Sequence, residues 1–267
     1  MEPNASLNLK LGALGRACVR SAASWWGIIH FGAIALVMAL SASTYDRANR
    51  ATIARHIYTS TWQVLFWFTV LCSLVSLVLI RIVVVTALSY GLSQYALEMV
   101  VRVLVLELIP LSAALFVVLR SGLASSAELA ARRRGGELVA WQENGLDAMR
   151  REFVPRMMAT AFSVLTLAGV SSVVALVLAY TAVYGVSPWG LGEYTRVVGH
   201  VFSPAVALVF VLKTLLFSLA VAVIPIASAI QASGEPAGGS MPVPQGTVRL
   251  FLVLVLVEGG SLAIKYI

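Results

Sequence analysis

Long apolar runs separated by short polar segments dominate this sequence. Each run approaches or exceeds the about 20 helical residues needed to cross roughly 30 Å of hydrocarbon. In lipid a run must satisfy its own backbone hydrogen bonds, and the two-residue alternation of barrel strands is absent, so helices are indicated. The pattern predicts an all-α integral membrane protein. The runs cover approximately residues 22–43, 57–90, 95–130, 153–186, 201–232 and 248–264.

Basic residues divide the segments between the runs into two groups, one rich in Lys and Arg and one nearly without them. They are frequent on both sides of the first run and in 131–156, whereas 89–94 has no Lys or Arg and 185–200 has only Arg196. Basic segments favour the cytoplasm. A helix that spans cannot keep both ends on one side, so we interpret residues 6–43 as an interfacial or re-entrant element. An ordinary spanning helix is the alternative.

The remaining runs then alternate across the membrane within one domain, residues 1–267. This topology places the N-terminus in the cytoplasm and the C-terminus in the periplasm, with a cytoplasmic segment at 131–152 between the second and third helices. The five predicted transmembrane helices cover residues 57–88, 95–130, 154–184, 203–232 and 248–265.

Composition supports a membrane protein and excludes several other classes. Hydrophobic residues make up 60% of the chain and charged residues 12%, against about 25% charged residues in soluble domains. We attribute the net charge of +7 to topology and predict no nucleic-acid partner. Cys18 and Cys72 have no neighbours at metal-ligand spacing, so neither a metal nor a cofactor is expected. Phosphate-binding loops, zinc-protease motifs and nucleophile elbows are absent, so catalysis by this chain is not expected.

The segment 131–152 is charged but also contains apolar residues. Leu138, Trp141 and Met149 recur at spacings that place them on one helix face. Such a face suits a helix that docks in the groove of a soluble partner. A solvated loop whose arginines only set topology is an equally good interpretation.

Several ionisable residues lie inside the apolar runs, where charge is costly and usually faces a partner or a cavity. Glu98 and Arg102 are four residues apart and can pair on one helix face, and Pro110 frees a backbone carbonyl one turn earlier. We select Arg81, Glu98, Arg102 and Glu107 as candidate substrate-binding residues, although structural pairing is as good an explanation. The full set is Arg81, Glu98, Arg102, Glu107, Arg120, Glu128, Lys213, Arg249 and Glu258.

Two stretches resemble the hallmarks of MlaE/YrbE-family permeases. LELIPLSAALFVVLRSGLASSAELA (106–130) is similar to R-E-L-G-P followed by G-R-x-G-[SA]-A and A-E-[LI]-G, and GLDAMRREFVPRMMA (145–159) to G-[VL]-D-P-x-[RK]-x-x-x-x-P-R-x-x-A. The chain departs from these patterns at Leu106, where the family has Arg, and at Ala148, where it has Pro. Arg102 could replace the missing charge. The matching residues are Glu107, Leu108, Pro110, Arg120, Gly122, Ala127, Glu128, Leu129, Asp147, Pro155 and Arg156.

The resemblance implies the permease subunit of an ABC transporter in the bacterial inner membrane. It implies a homodimer that works with a cytoplasmic ATPase and a periplasmic MCE-domain protein and moves phospholipids or related hydrophobic molecules. Residues 131–152 would form the helix that couples the permease to the ATPase. The residues we assign to this coupling are Glu128, Glu137, Trp141, Asp147 and Arg151.

Two further hypotheses remain open. An ATP-independent secondary carrier would use the intramembrane charges for an ion-linked or proton-linked site. A structural scaffold would anchor other envelope proteins and would not need those charges for lipid movement.

Overall fold

The computed structural model describes residues 23–41, 47–122, 128, 153–231 and 245–266, and these ranges are helical without a β-strand. Nine α-helices follow one another along them. They are α1 (Ala23–Leu40), α2 (Arg47–Ile57), α3 (Gln63–Ser89), α4 (Ser93–Val100), α5 (Ile109–Val117), α6 (Val154–Tyr184), α7 (Leu191–Val201), α8 (Pro204–Gln231) and α9 (Gln245–Tyr266).

Short segments of π-helix interrupt the longer helices. Tyr58–Trp62 joins α2 to α3, Val101–Leu108 joins α4 to α5, and Val118–Gly122 follows α5. Such segments are rare and occur often at functional sites. The longest of them contains Arg102 and Glu107, two of the candidate substrate-binding residues.

Six helical stretches are long and apolar enough to cross a membrane, which confirms the prediction of an all-α integral membrane protein. Tyr95–Arg120 is the most enclosed of them. In its most apolar stretch of 18 residues 56% of the residues are buried, against 11% in that of Gly246–Lys265. The stretch with Glu107 therefore lies at the centre of the bundle. The six are Ala23–Leu40, Arg50–Ser89, Tyr95–Arg120, Val154–Tyr184, Pro204–Ile230 and Gly246–Lys265.

Close packing of small and branched side chains forms the core. Ala113 and Ala114 of α5, Ala168 of α6 and Phe217 of α8 are completely buried, and they belong to one apolar cluster. Small residues let helix backbones approach closely in membranes, where contact between helices is not driven by exclusion of water.

Helix α1 contacts α8, α9 and the residue directly before α6. Ser24 accepts a hydrogen bond from Arg249 at the start of α9 (2.6 Å), and Phe31 packs edge-on against Phe153, directly before α6. Gly32 lies so close to Val223, in the last third of α8, that a Cβ there would be 3.0 Å from a methyl carbon. These contacts attach α1 to α8, α9 and the start of α6, and its interfacial or re-entrant position stays a prediction.

Candidate functional site

Four charged side chains from three different spans meet inside the bundle, and we call them the ion-pair cluster. It consists of Glu107, Lys213 of α8, and Glu258 and Lys265 of α9. The Lys213 ammonium contacts the Glu107 carboxylate and lies 2.7 Å from Oε2 of Glu258. The Lys265 ammonium donates to Oε1 of Glu107 at 2.9 Å. The two lysine side chains are almost fully buried, 2% and 4% exposed, and the two carboxylates are slightly more accessible, 14% and 17%.

A backbone carbonyl completes the surroundings of Lys213. Pro110 has no N–H, so the carbonyl four residues earlier, that of Leu106, lacks the donor that a regular α-helix would supply. Lys213 Nζ donates to this Leu106 carbonyl at 3.3 Å. The proline thus leaves a free carbonyl acceptor in the middle of a membrane-spanning helix, and a lysine from α8 donates a hydrogen bond to it.

The ion-pair cluster is electrically balanced. Two carboxylates and two ammonium groups sum to zero when all are ionised, and the ring of Phe217 lies 5.8 Å from the Lys213 ammonium. Charges buried away from water are tolerated when they are paired, and removal of one partner leaves an uncompensated charge. The cluster can therefore hold the helix with Glu107, α8 and α9 together, and it resists any movement that separates them.

The structure separates the four candidate substrate-binding residues into three places. Only Glu107 belongs to the ion-pair cluster. Glu98 and Arg102 form the predicted pair one turn apart, at 2.7 Å, with side chains 27% and 32% exposed. Arg81 lies exposed on α3 and has no ion-pair partner among the described residues.

A cleft of about 340 Å³ lies beside the Glu98–Arg102 pair. Tyr95 and Glu98 form one wall, and Arg196, Val197 and His200 of α7 form the other. Acidic and basic groups thus face each other where α4 meets α7, close to one end of the bundle.

The suggestion that Arg102 replaces the missing cation beside Glu107 is wrong, because Lys265 occupies that place. Arg102 instead pairs with Glu98, with 2.7 Å between the guanidinium and the carboxylate. Lys265 was missed because it lies at the edge of the last apolar run. Charge balance could have indicated it. Glu107, Lys213 and Glu258 all lie inside apolar runs, so two buried carboxylates need a second cation besides Lys213.

One of the five predicted coupling residues is described. Glu128 accepts two hydrogen bonds from the guanidinium of Arg156, in the first turn of α6, at 3.1 and 3.2 Å. This bidentate pair joins residues that flank the predicted coupling segment 131–152 on either side. The other four lie outside the described residues: Glu137, Trp141, Asp147 and Arg151.

Residues 53–261 match the profile of the family described as Permease MlaE. The chain belongs to the MlaE permease family. The match covers most of the chain and confirms the family resemblance of the two motif stretches. It makes the protein a multi-pass membrane permease of the ABC-transporter class associated with lipid transport, and the family in general works with ATPase and MCE-domain proteins. No curated protein matches the chain closely enough to count as a relative.

Proposed function

We propose that this permease moves phospholipids or related hydrophobic molecules between the inner membrane and the outer envelope, driven by a separate ATPase. The observation that carries the proposal is the family match over residues 53–261, which includes every member of the ion-pair cluster except Lys265. In the proposed orientation the N-terminus is cytoplasmic and the C-terminus periplasmic, in agreement with the basic segments.

The exposed faces of the spans fit an apolar substrate. In α3, Leu74, Val78 and Ile82 are 61%, 55% and 56% exposed, and Arg81 lies among them. A phospholipid has the same combination of long apolar chains and one phosphate. In the proposed homodimer, acyl chains lie against faces of this kind while Arg81, and further along Arg102, attract the phosphate.

The ion-pair cluster and the Glu128–Arg156 pair have different proposed roles. The cluster keeps three spans in register while the cavity between the two copies opens and closes. The Glu128–Arg156 pair joins the residues on either side of segment 131–152, so that movement of the ATPase reaches α6 directly. Neither role involves bond making or breaking by this chain.

Purification and reconstitution test the proposal. Gentle extraction followed by mass spectrometry should recover a P-loop ATPase, an MCE-domain protein and phospholipid. The reconstituted complex should move fluorescent phospholipid only with hydrolysable ATP, and Arg81→Gln should slow that movement while the complex stays intact. Arg196→Gln, on α7 outside the spans, is the matched control and should have a smaller effect.

The buried titratable groups of the ion-pair cluster favour one alternative, a secondary carrier. Lipid movement driven by a proton gradient, in vesicles that contain this chain and no ATPase, would contradict the proposal and support that carrier. Undiminished lipid movement after the charges at Arg102 and Glu107 are removed would instead favour a scaffold.

A further inference from the structure

The loop between α6 and α7, residues 185–190, exposes two apolar side chains at one end of the bundle. Val186 and Trp189 are each 93% exposed, more than any other large hydrophobic residue in the described part of the chain. Side chains of this kind are rarely left in water without a partner when they lie together. The loop therefore needs an apolar or amphipathic environment outside the monomer.

Contacts with the two tyrosines at the end of α6 fix the conformation of this loop. Gly185 has a φ of +68°, a conformation that other residues adopt with strain. The Tyr180 hydroxyl donates to the carbonyl of Ser187. At Gly190, a Cβ would lie 2.6 Å from the ring of Tyr184, so no larger residue fits there without displacing the ring. The loop is thus a fixed projection that points Val186 and Trp189 away from the bundle.

The length of α6 places the loop at the surface of the bilayer. Its 31 residues extend about 46 Å at 1.5 Å per residue, close to the roughly 40–45 Å of a bilayer with its headgroups. The end of α6 therefore lies at headgroup level. The stretch Tyr184–Gly192, YGVSPWGLG, contains no charged residue, and charges resume on α7 with Glu193 and Arg196.

We propose that this loop inserts Val186 and Trp189 into the headgroup and upper acyl region of the leaflet at its end of the bundle. Trp is enriched at that depth because its ring is apolar and its N–H can still reach polar groups. The absence of charge over nine consecutive residues fits a lipid surface better than a protein surface, whose rim is normally polar. The partner of the loop is thus the bilayer itself.

This inference needs only a membrane-embedded chain, so its failure would leave the proposed lipid transport untouched. The test uses the full-length protein in phosphatidylethanolamine and phosphatidylglycerol vesicles without any other subunit. Val186→Cys and Trp189→Cys are prepared with Cys18→Ser and Cys72→Ser and labelled with a polarity-sensitive fluorophore. Thr195→Cys, exposed on α7, is the matched control. Lipids brominated near the top of the acyl chain should quench the loop labels several-fold more than the control label, and aqueous iodide should show the reverse.

An unlabelled comparison guards against damage from the cysteine substitutions. Trp189→Phe in the otherwise natural sequence should lower the absolute amount of tryptophan emission per protein that brominated lipids quench. Labels at both loop positions that iodide quenches as strongly as the control label would overturn the proposal. Protection that develops only after a partner subunit is added would also overturn it, because the loop would then bind protein and not lipid.

Discussion

Replacement of Lys213 by Met tests the energetics of the ion-pair cluster directly. Methionine keeps much of the length of the side chain but removes the ammonium that contacts Glu107, Glu258 (2.7 Å) and the Leu106 carbonyl (3.3 Å). The cluster then has two carboxylates and one ammonium in a site where Lys213 was 2% exposed. Breaking a buried pair in this way costs about 3–5 kcal/mol, and we expect Lys213→Met to lose that much free energy of unfolding.

A second substitution separates charge imbalance from loss of packing. Lys213→Met with Glu258→Gln is neutral again and keeps the pair of Glu107 with Lys265 at 2.9 Å. The Leu106 carbonyl still lacks its donor, which costs about 1–3 kcal/mol. The double variant should therefore be more stable than Lys213→Met alone, although it carries one more substitution.

Equilibrium unfolding in mixed micelles with increasing dodecyl sulfate, followed by circular dichroism, measures these differences. Arg102→Met is the control, because it breaks a partly exposed pair one turn apart in the same region, and such pairs contribute about 0.3–0.5 kcal/mol. A loss below about 1 kcal/mol for Lys213→Met would refute the argument that the cluster is a buried, balanced network. A double variant less stable than the single one would refute the charge-balance step.

Further substitutions test two other contacts, the Glu128–Arg156 pair and the packing around Gly246. Glu128→Arg and Arg156→Glu should each lower lipid-stimulated ATP hydrolysis by the reconstituted complex, because each breaks the bidentate pair that flanks the coupling segment. The double variant Glu128→Arg with Arg156→Glu restores opposite charges and should recover most of the hydrolysis. An equal or greater loss of hydrolysis in the double variant would contradict this role. Gly246→Ala should lose about 1–3 kcal/mol of stability by overpacking, because the new Cβ would lie 2.7 Å from Cβ of Ser228. Gly169→Ala, with nothing within 4 Å, should instead gain about 0.5–1 kcal/mol from helix propensity, and equal effects at the two glycines in the same unfolding assay would refute the packing argument.

The sequence predicts the helices well because a span is defined by its own residues. Apolar runs of sufficient length must form helices in lipid, and the described helices follow those runs. Glu98 with Arg102 is predictable for the same reason, since both residues lie on one helix one turn apart. Family motifs also identify the chain, because they are local strings such as the one that contains Glu107 and Pro110.

The ion-pair cluster is different because its members come from distant parts of the chain. Lys213 follows Glu107 by 106 residues and Lys265 follows it by 158, and no local spacing relates them. The π-helical segment Val101–Leu108 adds a second difficulty, since it changes which residues share a face from one turn to the next. Only the packing of α8 and α9 against this segment decides that Glu107 meets two lysines and that Arg102 does not.

The ion-pair cluster and the contacts of α3 differ in how much free energy their separation would cost, and this difference indicates where the bundle can move. Separation of α8 or α9 from the helix with Glu107 would leave buried charges unpaired, at several kcal/mol. Helix α3 is joined to α6 by apolar contacts and, just before its start, by hydrogen bonds of Ser163 with Thr61 (2.6 Å) and Ser60 (3.3 Å). A hydrogen bond of this kind between membrane helices contributes about 0.6 kcal/mol, and apolar surfaces can slide without exposing charge. We therefore infer that the helix with Glu107, α8 and α9 moves as one block and that α3 shifts against it. The inference would be contradicted if the distance between labels on α8 and α9 changed between nucleotide states while the distance from α3 to α8 stayed fixed.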